Sequence, residues 1–301
     1  MSGFYAAGYD VGTGAVCWSE SLRSSMLSGM DKHKLFGFTD VDQTNDPDYF
    51  IRFLDEASAD ESFQAYKQHS FALLELEPGQ YVLDVGCGTG EDARAMARRV
   101  APGGRVVAVD GSQSMIATAQ RRAEECGLPV AFQVADAHQL PFADNSFDAA
   151  RADRIFMHLE SPAQALRDMM RVVRPGGRVL VYEVDFETLT VDLPDRPRTR
   201  KIVNIWCDGF RNGWLGRHVP ALFREVGLHD VRITPATLWL RYPVAMQMVG
   251  PATVERACAA GLLTANEGEN WLRNVQERYE AGLLFCTLTG FLVLGRKPGD
   301  G

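Results

Sequence analysis

Three aspartates follow short apolar runs in the first half of the chain. Asp84, Asp110 and Asp136 each stand at or near the end of a run rich in valine. Runs of this length and composition are typical of buried strands, so each carboxylate is predicted at a strand end. In a parallel sheet the carboxyl ends of the strands meet at one edge, which would bring the three acids to a common site. Carboxylates accept hydrogen bonds from hydroxyl, amine and ammonium groups, so this site suits a polar organic ligand.

A glycine-rich loop lies directly after the first of these strands. Gly86, Gly88 and Gly90 alternate with other residues, and a predicted helix follows. Such a loop places backbone N–H groups and a sharp turn against a bound nucleoside. The first turn of the helix carries Glu91 and Asp92, which suit the helix dipole but would repel a phosphate. The loop is therefore predicted to hold a nucleoside that has no phosphate.

S-adenosylmethionine fits this set, because it carries an ammonium and a sulfonium and has no phosphate. Asp84 is predicted to bind the methionyl ammonium and Asp110 to accept both ribose hydroxyls. Asp136 would accept from the adenine amine, while Met115 covers an adenine face. Each acid alone has an alternative role as a cap or turn residue, and their joint spacing indicates the ligand. The predicted cofactor-binding residues are Asp84, Gly86, Cys87, Gly88, Gly90, Asp110, Gly111, Met115, Asp136, Ala137 and Arg154.

The elements that must position these residues alternate as strands and helices along the middle of the chain. Strands are predicted at residues 81–85, 105–109, 130–134, 147–151 and 178–184, and helices at 91–100, 114–126 and 162–173. Each helix ends at a glycine, in two cases beside a proline. This alternation predicts an α/β fold, a Rossmann-like doubly wound sheet that is mostly parallel with the last strand antiparallel, with helical N-terminal and C-terminal lid segments.

The chain is predicted to divide into five segments. They are a flexible or lid-forming arm over 1–45, a helical N-terminal cap over 46–78, the S-adenosylmethionine-binding core over 79–185, an acceptor-lid segment with a core helix over 186–230, and the final strands over 231–301 with a helical insertion at about 244–281. The insertion has the length of about two helices and is interpreted as part of the lid.

Composition narrows the class of partner. The net charge of −8 works against a surface that follows a phosphate backbone, so nucleic acid is not expected as a partner. No apolar run reaches the roughly 20 residues of a membrane span and no secretory signal is evident, which predicts a cytoplasmic protein without a membrane partner. The 6 cysteines form no C-x-x-C pair and are expected to be reduced thiols. The oligomeric state stays open, with a homodimer as one option.

Together these motifs resemble the class I S-adenosylmethionine-dependent methyltransferases, over about residues 47–185 and the final strand. The segments similar to the family's motifs are Leu83–Gly90 for the first, Val109–Ser112 for the second, Asp136-Ala137 with Leu140–Phe142 for the third, and Leu166–Gly177 for the helix and turn before the fifth strand. The greatest similarity is to the branch with quinone, lipid and bacterial natural-product enzymes. The resemblance implies the fold and the cofactor and leaves the acceptor open.

Departures from other branches of that family narrow the acceptor. The fourth strand ends in Arg151-Ala152-Asp153-Arg154 and lacks the Pro-Pro-Tyr motif of enzymes that methylate nucleobase amines, so nucleobases are disfavoured. Asp153 and Asp185 loosely resemble the acids of metal-dependent catechol enzymes. Phe186 occupies the position where an Asn ligand is expected, and no metal is predicted.

The candidate catalytic residues follow the fourth strand. His158 is placed to act as a general base, with a structural histidine near the next helix cap as the alternative, and Asp153 is a second candidate. Arg52 or Lys67 could pair with the methionyl carboxylate, although ordinary surface charges are the favoured interpretation of both. The predicted function is methyl transfer to N, O or C of a small, largely apolar metabolite, in a setting such as natural-product biosynthesis. The alternatives are a catalytically silent S-adenosylmethionine-binding scaffold or sensor and, disfavoured by Glu91 and Asp92, a nicotinamide oxidoreductase.

Overall fold

A computed structural model describes residue 38 and residues 40–299, which fall into two compact units. The sheet unit contains the described residues up to 189 together with 210–239 and those from 287 onward, and the helical unit contains 190–209 and 240–286. Most of the predicted arm over 1–45 lies outside the described residues. None of the described helices is both long enough and apolar enough to cross a bilayer.

Eight strands are described, and the first five lie within the core segment predicted at 79–185. They are β1 (Tyr81–Val85), β2 (Arg105–Asp110), β3 (Val130–Val134), β4 (Phe147–Asp153), β5 (Val173–Val184), β6 (Thr190–Val191), β7 (His229–Trp239) and β8 (Cys286–Arg296). In the sheet unit their order is β3-β2-β1-β4-β5-β8-β7. Pairs among the first five strands are parallel, and β8 runs antiparallel to both β5 and β7. The predicted fold class, with its antiparallel last strand, is confirmed.

Helices connect these strands. They are α1 (Pro47–Ala59), α2 (Glu61–Leu74), α3 (Glu91–Val100), α4 (Gln113–Glu125), α5 (Pro162–Val172), α6 (Arg196–Cys207), α7 (Leu215–Glu225), α8 (Tyr242–Val249), α9 (Pro251–Ala259) and α10 (Ala265–Glu280). α1 begins as the sequence predicts, because Asp46 accepts a hydrogen bond from the Tyr49 N–H and Pro47 needs no donor at the first helical position. Ser112 caps α4 in the same way by accepting from the Met115 N–H.

Among the five strands predicted from the sequence, β4 and β5 extend furthest beyond their predicted bounds. β4 continues to Asp153, and β5 begins at Val173 although the turn 174–177 was expected to separate helix from strand. The Gly176 N–H donates to Lys297 O at 2.9 Å, so pairing near the end of β8 draws this turn into the ladder. A shift of register between Phe147 and Ala149 accommodates the extra residues as a bulge.

The helical unit consists of β6, α6 and α8 to α10. Its insertion holds three helices where about two were expected, because Gly250 interrupts the chain between α8 and α9 and Pro251 starts a new helix. Its interior contains Trp271, whose Nε1 donates to Thr199 Oγ1 at 3.1 Å. Both residues are buried, so this hydrogen bond satisfies the indole inside the unit.

Candidate active site

A cavity of about 700 Å³ opens at the carboxyl ends of β1, β2, β3 and β4. It brings together all the predicted cofactor-binding residues except Gly90, and both candidate catalytic residues. Its lining includes Phe38, Phe53, Leu54, Lys67, Asp84, Gly86, Cys87, Gly88, Asp92, Asp110, Gly111, Met115, Asp136, Ala137, His138, Arg151, Asp153, Arg154, Ile155, Met157, His158, Leu159 and Arg211. We call residues 84–90, Asp110 and Asp136 the loop wall, and residues 154–159 the turn wall.

The glycine loop is fixed by its own backbone. The N–H groups of Gly86 and Cys87 both donate to Val109 O, at 2.8 and 2.9 Å, which holds the loop against the end of β2. Gly86 has φ 72°, and a Cβ there would lie 3.0 Å from Ile155 Cβ and closer still to its Cγ2. Gly90 packs instead beneath the Phe132 ring, which explains why it does not line the cavity. Its contact with the cofactor stays a prediction, and in the structure Gly90 allows close packing of the loop against Phe132.

Asp110 joins the loop to the following helix. Its Oδ2 accepts from the Gly88 N–H at 2.8 Å and its Oδ1 from the Ser112 N–H at 2.9 Å. Burial raises the pKa of Asp110, and these backbone hydrogen bonds partly oppose the rise. A carboxylate oxygen has a second lone pair, so both oxygens can still accept from a ligand hydroxyl.

Asp136 stands at the open side of the loop wall, with 66% of its side chain exposed. Its Oδ1 accepts from the backbone N–H of His138 at 2.8 Å and from Nδ1 of the same residue at 2.6 Å. The backbone hydrogen bond is the main cause of a lowered pKa, so the carboxylate stays charged. His138 Nε2 in turn accepts from the Ser161 N–H at 3.2 Å, which assigns the ring proton to Nδ1.

Beneath the loop wall lies a buried cluster of charges that the sequence patterns did not predict. Asp84 is 2% exposed, and Arg151, which is fully buried, places its Nη1 3.6 Å from Asp84 Oδ1. Arg151 also donates to Asp92 Oδ2 at 2.9 Å and to Asp153 Oδ2 at 2.5 Å. Burial raises the pKa of Asp84 to about 7 although Arg151 opposes the rise. An arginine with an alanine on either side in β4 was the signal available in the sequence.

This cluster also corrects the prediction drawn from the start of α3. Lys67 Nζ lies 3.0 Å from Asp92 Oδ1, so Asp92 is paired with two cations. Burial raises its pKa, but Arg151 and Lys67 outweigh this and lower the pKa to about 2. The predicted repulsion of a phosphate is therefore weaker than expected, because the negative charge of Asp92 is balanced by these two cations. Lys67 is engaged here, and Arg52 pairs with Asp46 at 3.3 Å.

Asp153 is held by contacts on both oxygens. Its Oδ1 accepts from Tyr66 Oη at 3.1 Å and from Arg154 Nε at 3.2 Å, and its Oδ2 from Arg151. A carboxylate engaged in this way and 8% exposed is a poor proton acceptor for a substrate. The contacts conflict with the predicted catalytic role and indicate that Asp153 supports its neighbours. Arg154, at φ 56°, donates its N–H to Tyr182 O at 2.9 Å.

His158 ends a single turn of 3₁₀-helix over Phe156–His158. Its ring centroid lies 5.7 Å from that of Phe38, in the same cavity as the glycine loop. Burial, aided by the nearby charge of Arg154, lowers the pKa of His158 to about 4, so the imidazole is neutral near pH 7. The structural alternative, a cap on α5, is wrong, because Ser161 Oγ accepts from the Gln164 N–H and caps that helix.

Residues from distant segments hold the turn wall in place. Asn212 Nδ2 donates to Phe156 O at 3.1 Å and to Leu159 O at 2.8 Å. Glu183, which is fully buried, accepts from the Met157 N–H at 3.2 Å, and burial raises its pKa to about 8. Glu183 was expected from the sequence only as an acid at the strand end that could face the acceptor, and Asn212 was not predicted to take part in the site. Nothing in the local sequence of either residue identifies the turn as its partner.

Asp153 and Asp185, which loosely resemble the acids of the metal-dependent catechol enzymes, do not lie together in one site. Asp185 accepts two hydrogen bonds from Arg217 and does not line the cavity that contains Asp153. Within the part of the chain that the structure describes, no three His, Cys, Asp or Glu side chains are grouped to hold a metal ion. The carboxylates and the imidazole of the cavity are instead available to an organic ligand.

Comparison with known proteins places this site in a family. Residues 83–181, from β1 to β5, match the methyltransferase domain family. The chain is 36% identical over 250 residues to an uncharacterized 37.1 kDa protein in transposon Tn4556 of Streptomyces fradiae. This alignment covers 82% of this chain and 71% of that protein. The ubiquinone/menaquinone biosynthesis C-methyltransferase UbiE of Bordetella avium is 36% identical over 120 residues, 40% of this chain and 47% of that protein. The chain thus matches about half the length of that relative.

Solved structures agree on the fold. The crystal structure of YcgJ from Bacillus subtilis aligns with a TM-score of 0.53 and 21% identity, and covers 77% of this chain and 100% of that one. The residues that match the methyltransferase domain include the glycine loop, Asp110 and Asp136. The chain therefore belongs to the class I S-adenosylmethionine-dependent methyltransferases.

Proposed function

We propose that this protein transfers the methyl group of S-adenosylmethionine to N, O or C of a small, largely apolar metabolite. The observation that carries the proposal is the cavity itself, whose two walls differ in chemistry. The loop wall offers the carboxylates of Asp84, Asp110 and Asp136. Near the turn wall the lining becomes apolar, with the side chains of Phe38, Phe53, Ile155, Met157 and Leu159, whereas Leu54 lies beside Gly88 of the loop wall. Apolar lining with a few polar groups is typical of small-molecule sites.

The loop wall is proposed to bind the methyl donor. Asp84 Oδ2 is buried and has no hydrogen-bond partner among the described residues, so it is available to an ammonium group. Asp110 has acceptor capacity left for the ribose hydroxyls. Both hydrogen bonds to Asp136 end on Oδ1, which leaves Oδ2 for the adenine amine. Met115 is 2% exposed and lines the cavity, where its thioether can contact an adenine face.

The turn wall is proposed to bind the acceptor. When bound, the donor supplies an electrophilic methyl group, and alignment within a site that excludes water accounts for much of the acceleration. His158 presents a neutral imidazole to the cavity and can accept the proton of a hydroxyl, an amine or an acidic carbon. The quinone pathway named for the relative from Bordetella makes phenolic and quinol rings the first acceptors to test.

A binding measurement followed by an acceptor screen tests the proposal. Native mass spectrometry of the protein with S-adenosylmethionine, S-adenosylhomocysteine and NAD in turn should show stoichiometric binding of the first two and none of NAD. Incubation with S-adenosylmethionine and a panel of phenols, quinols and apolar amines should then give a product heavier by one CH₂ group. Binding without turnover of any acceptor would favour the silent scaffold or sensor, and the absence of binding by folded protein would reject the proposal.

A further inference from the structure

One buried arginine pairs with three carboxylates beneath the loop wall. Arg151 lies opposite Asp84 in the pairing of β1 with β4 and has no exposed surface. Its Nη1 lies 2.9 Å from Asp92 Oδ2 and 3.6 Å from Asp84 Oδ1, and its Nη2 lies 2.5 Å from Asp153 Oδ2. Its Nε donates to Ser70 Oγ of α2 at 3.2 Å. The guanidinium therefore joins β1, α3, β4 and α2 at a single point.

The two oxygens of Asp84 have different surroundings. Oδ1 lies toward Arg151, whereas Oδ2 is buried and accepts no hydrogen bond from the described residues. Asp84 nevertheless contributes to the lining of the cavity. A buried acceptor without a donor is unfavourable, so a ligand that supplies a donor to this oxygen would stabilise it.

We propose that Arg151 is a positioning residue for the methyl donor, which holds one oxygen of Asp84 inside the sheet, supports its negative charge and leaves the other oxygen for the donor's ammonium group. The inference rests on the proposed binding of S-adenosylmethionine at the loop wall. Arg151 acts on the donor through Asp84, because the guanidinium is engaged by Asp92, Asp153 and Ser70 beneath that wall.

The charges around Asp84 make this arrangement sensitive to pH. Arg151 and Asp153 on β4, Asp92 on α3 and Lys67 on α2 all act on it. Burial raises its pKa to about 7, the two cations oppose this rise and the two carboxylates add to it. Binding of an ammonium group therefore releases the proton of Asp84 to the buffer at acidic pH. Removal of Arg151 would keep that proton on Asp84 to higher pH and weaken binding there.

The test compares the affinity of S-adenosylhomocysteine for the full chain and for Arg151→Gln by calorimetry from pH 6 to pH 9. The ratio of the two dissociation constants should be at least about tenfold at pH 6 and fall toward one at pH 9, because a shift of one pKa unit changes binding tenfold below the pKa. The ligand's own ammonium titrates identically with both proteins, so the ratio reports on the protein alone. A ratio that is the same at every pH would show that Arg151 is merely structural.

Two further variants keep the test decisive if Arg151→Gln does not fold. Asp153→Asn removes a negative charge near Asp84, so its affinity at pH 6 should exceed that of the wild type, an effect opposite in sign to that of Arg151→Gln. Wild type should release protons on binding near pH 6, measured in buffers of different ionisation enthalpy, and Asp84→Asn should release none. Tight binding without proton release would overturn this inference alone, whereas absence of binding by the folded wild type would overturn the proposed function as well.

Discussion

The two walls of the cavity are held by different kinds of contact. In the loop wall the supporting partners come from nearby strands, as with the N–H groups of Gly86 and Cys87 that donate to Val109 O. The turn wall depends on side chains that are remote in sequence, because Asn212 binds the carbonyl groups of the turn. Glu183 likewise accepts a hydrogen bond from the Met157 N–H of the turn.

The walls also differ in the charge that they present. Asp84, Asp110 and Asp136 give the loop wall acceptors for a ligand rich in donors. The turn wall presents Arg154 and the neutral imidazole of His158 beside apolar rings. This difference supports the proposed division, in which the loop wall binds the methyl donor and the turn wall binds the acceptor. Variants that damage one wall and spare the other test this division.

The largest effect is expected at Gly86, where the walls touch. Gly86→Ala would place a Cβ against Ile155 at a φ of 72°, which L side chains rarely adopt. Backbone strain and overpacking together should lower the free energy of unfolding by about 3 kcal/mol. Binding of S-adenosylhomocysteine should weaken more than about a hundredfold. Chemical denaturation and calorimetry measure the two effects.

Gly111→Ala is the matched control for this substitution. A Cβ at Gly111 meets no protein atom within 4 Å, so the free energy of unfolding should stay within about 0.5 kcal/mol of the wild type. If Gly86→Ala were as stable as Gly111→Ala, the contact between loop and turn would be looser than the structure shows.

The second effect concerns the turn wall alone. His158→Ala should slow single-turnover methyl transfer about a hundredfold, because proton acceptance is lost, and leave the affinity for S-adenosylhomocysteine unchanged. The pKa of His158 is lowered to about 4, so the rate should fall at a lower pH than it would with an ordinary histidine as the base. With saturating S-adenosylmethionine, the wild-type single-turnover rate should therefore be flat from about pH 5.5 to 8 and fall as the pH decreases through about 4. A rate that already falls near pH 6.5 would contradict the buried position of the imidazole.

The sequence predicted the loop wall better than the turn wall, and the contacts explain why. Asp84, Asp110 and the glycines are positioned by one strand, one turn and one helix start, and local patterns reveal such elements. Arg151 is positioned by a register between strands, and its partners Asp92 and Ser70 lie 59 and 81 residues away. Asn212 reaches the turn across more than 50 residues. Contacts of this kind follow from tertiary packing, which periodicity does not encode.

The sequence predicted the order of the strands and helices correctly, but it did not predict all of their boundaries or the number of helices in the insertion. β5 is extended at its start because the Gly176 N–H donates to Lys297 O and the Lys297 N–H donates to Gly177 O, a contact between segments far apart in the chain. The proline-glycine turn at 174–177 is locally typical of a helix stop, and its pairing with the end of β8 overrides that preference. The helical insertion was undercounted because a break at Gly250 is short and leaves the apolar periodicity almost intact.

The third effect returns to the loop wall. Asp110→Ala removes two charge-assisted acceptors and should weaken S-adenosylhomocysteine binding by about 2 kcal/mol, or about thirtyfold. The same change frees the Gly88 and Ser112 N–H groups, so some loss of stability accompanies it. Asp110→Asn, which retains one acceptor oxygen, separates the two effects in calorimetry. An unchanged affinity in both variants would remove Asp110 from the proposed site.

The smallest effect is expected at Asp136, the most exposed acid of the loop wall. With 66% of its side chain exposed, its hydrogen bond to a ligand competes with water and is worth about 0.5–1 kcal/mol. Asp136→Ala should therefore weaken S-adenosylhomocysteine binding only about threefold, and the loss should be similar with S-adenosylmethionine because both carry adenine. The discriminating ligand is the inosine analogue of S-adenosylhomocysteine, which lacks the adenine amine. Wild type should bind this analogue about threefold more weakly than the adenine form, and Asp136→Ala should bind the two equally. A preference for adenine that survives in the variant would assign the recognition of the amine to another group in the loop wall, such as the backbone beside Ala137.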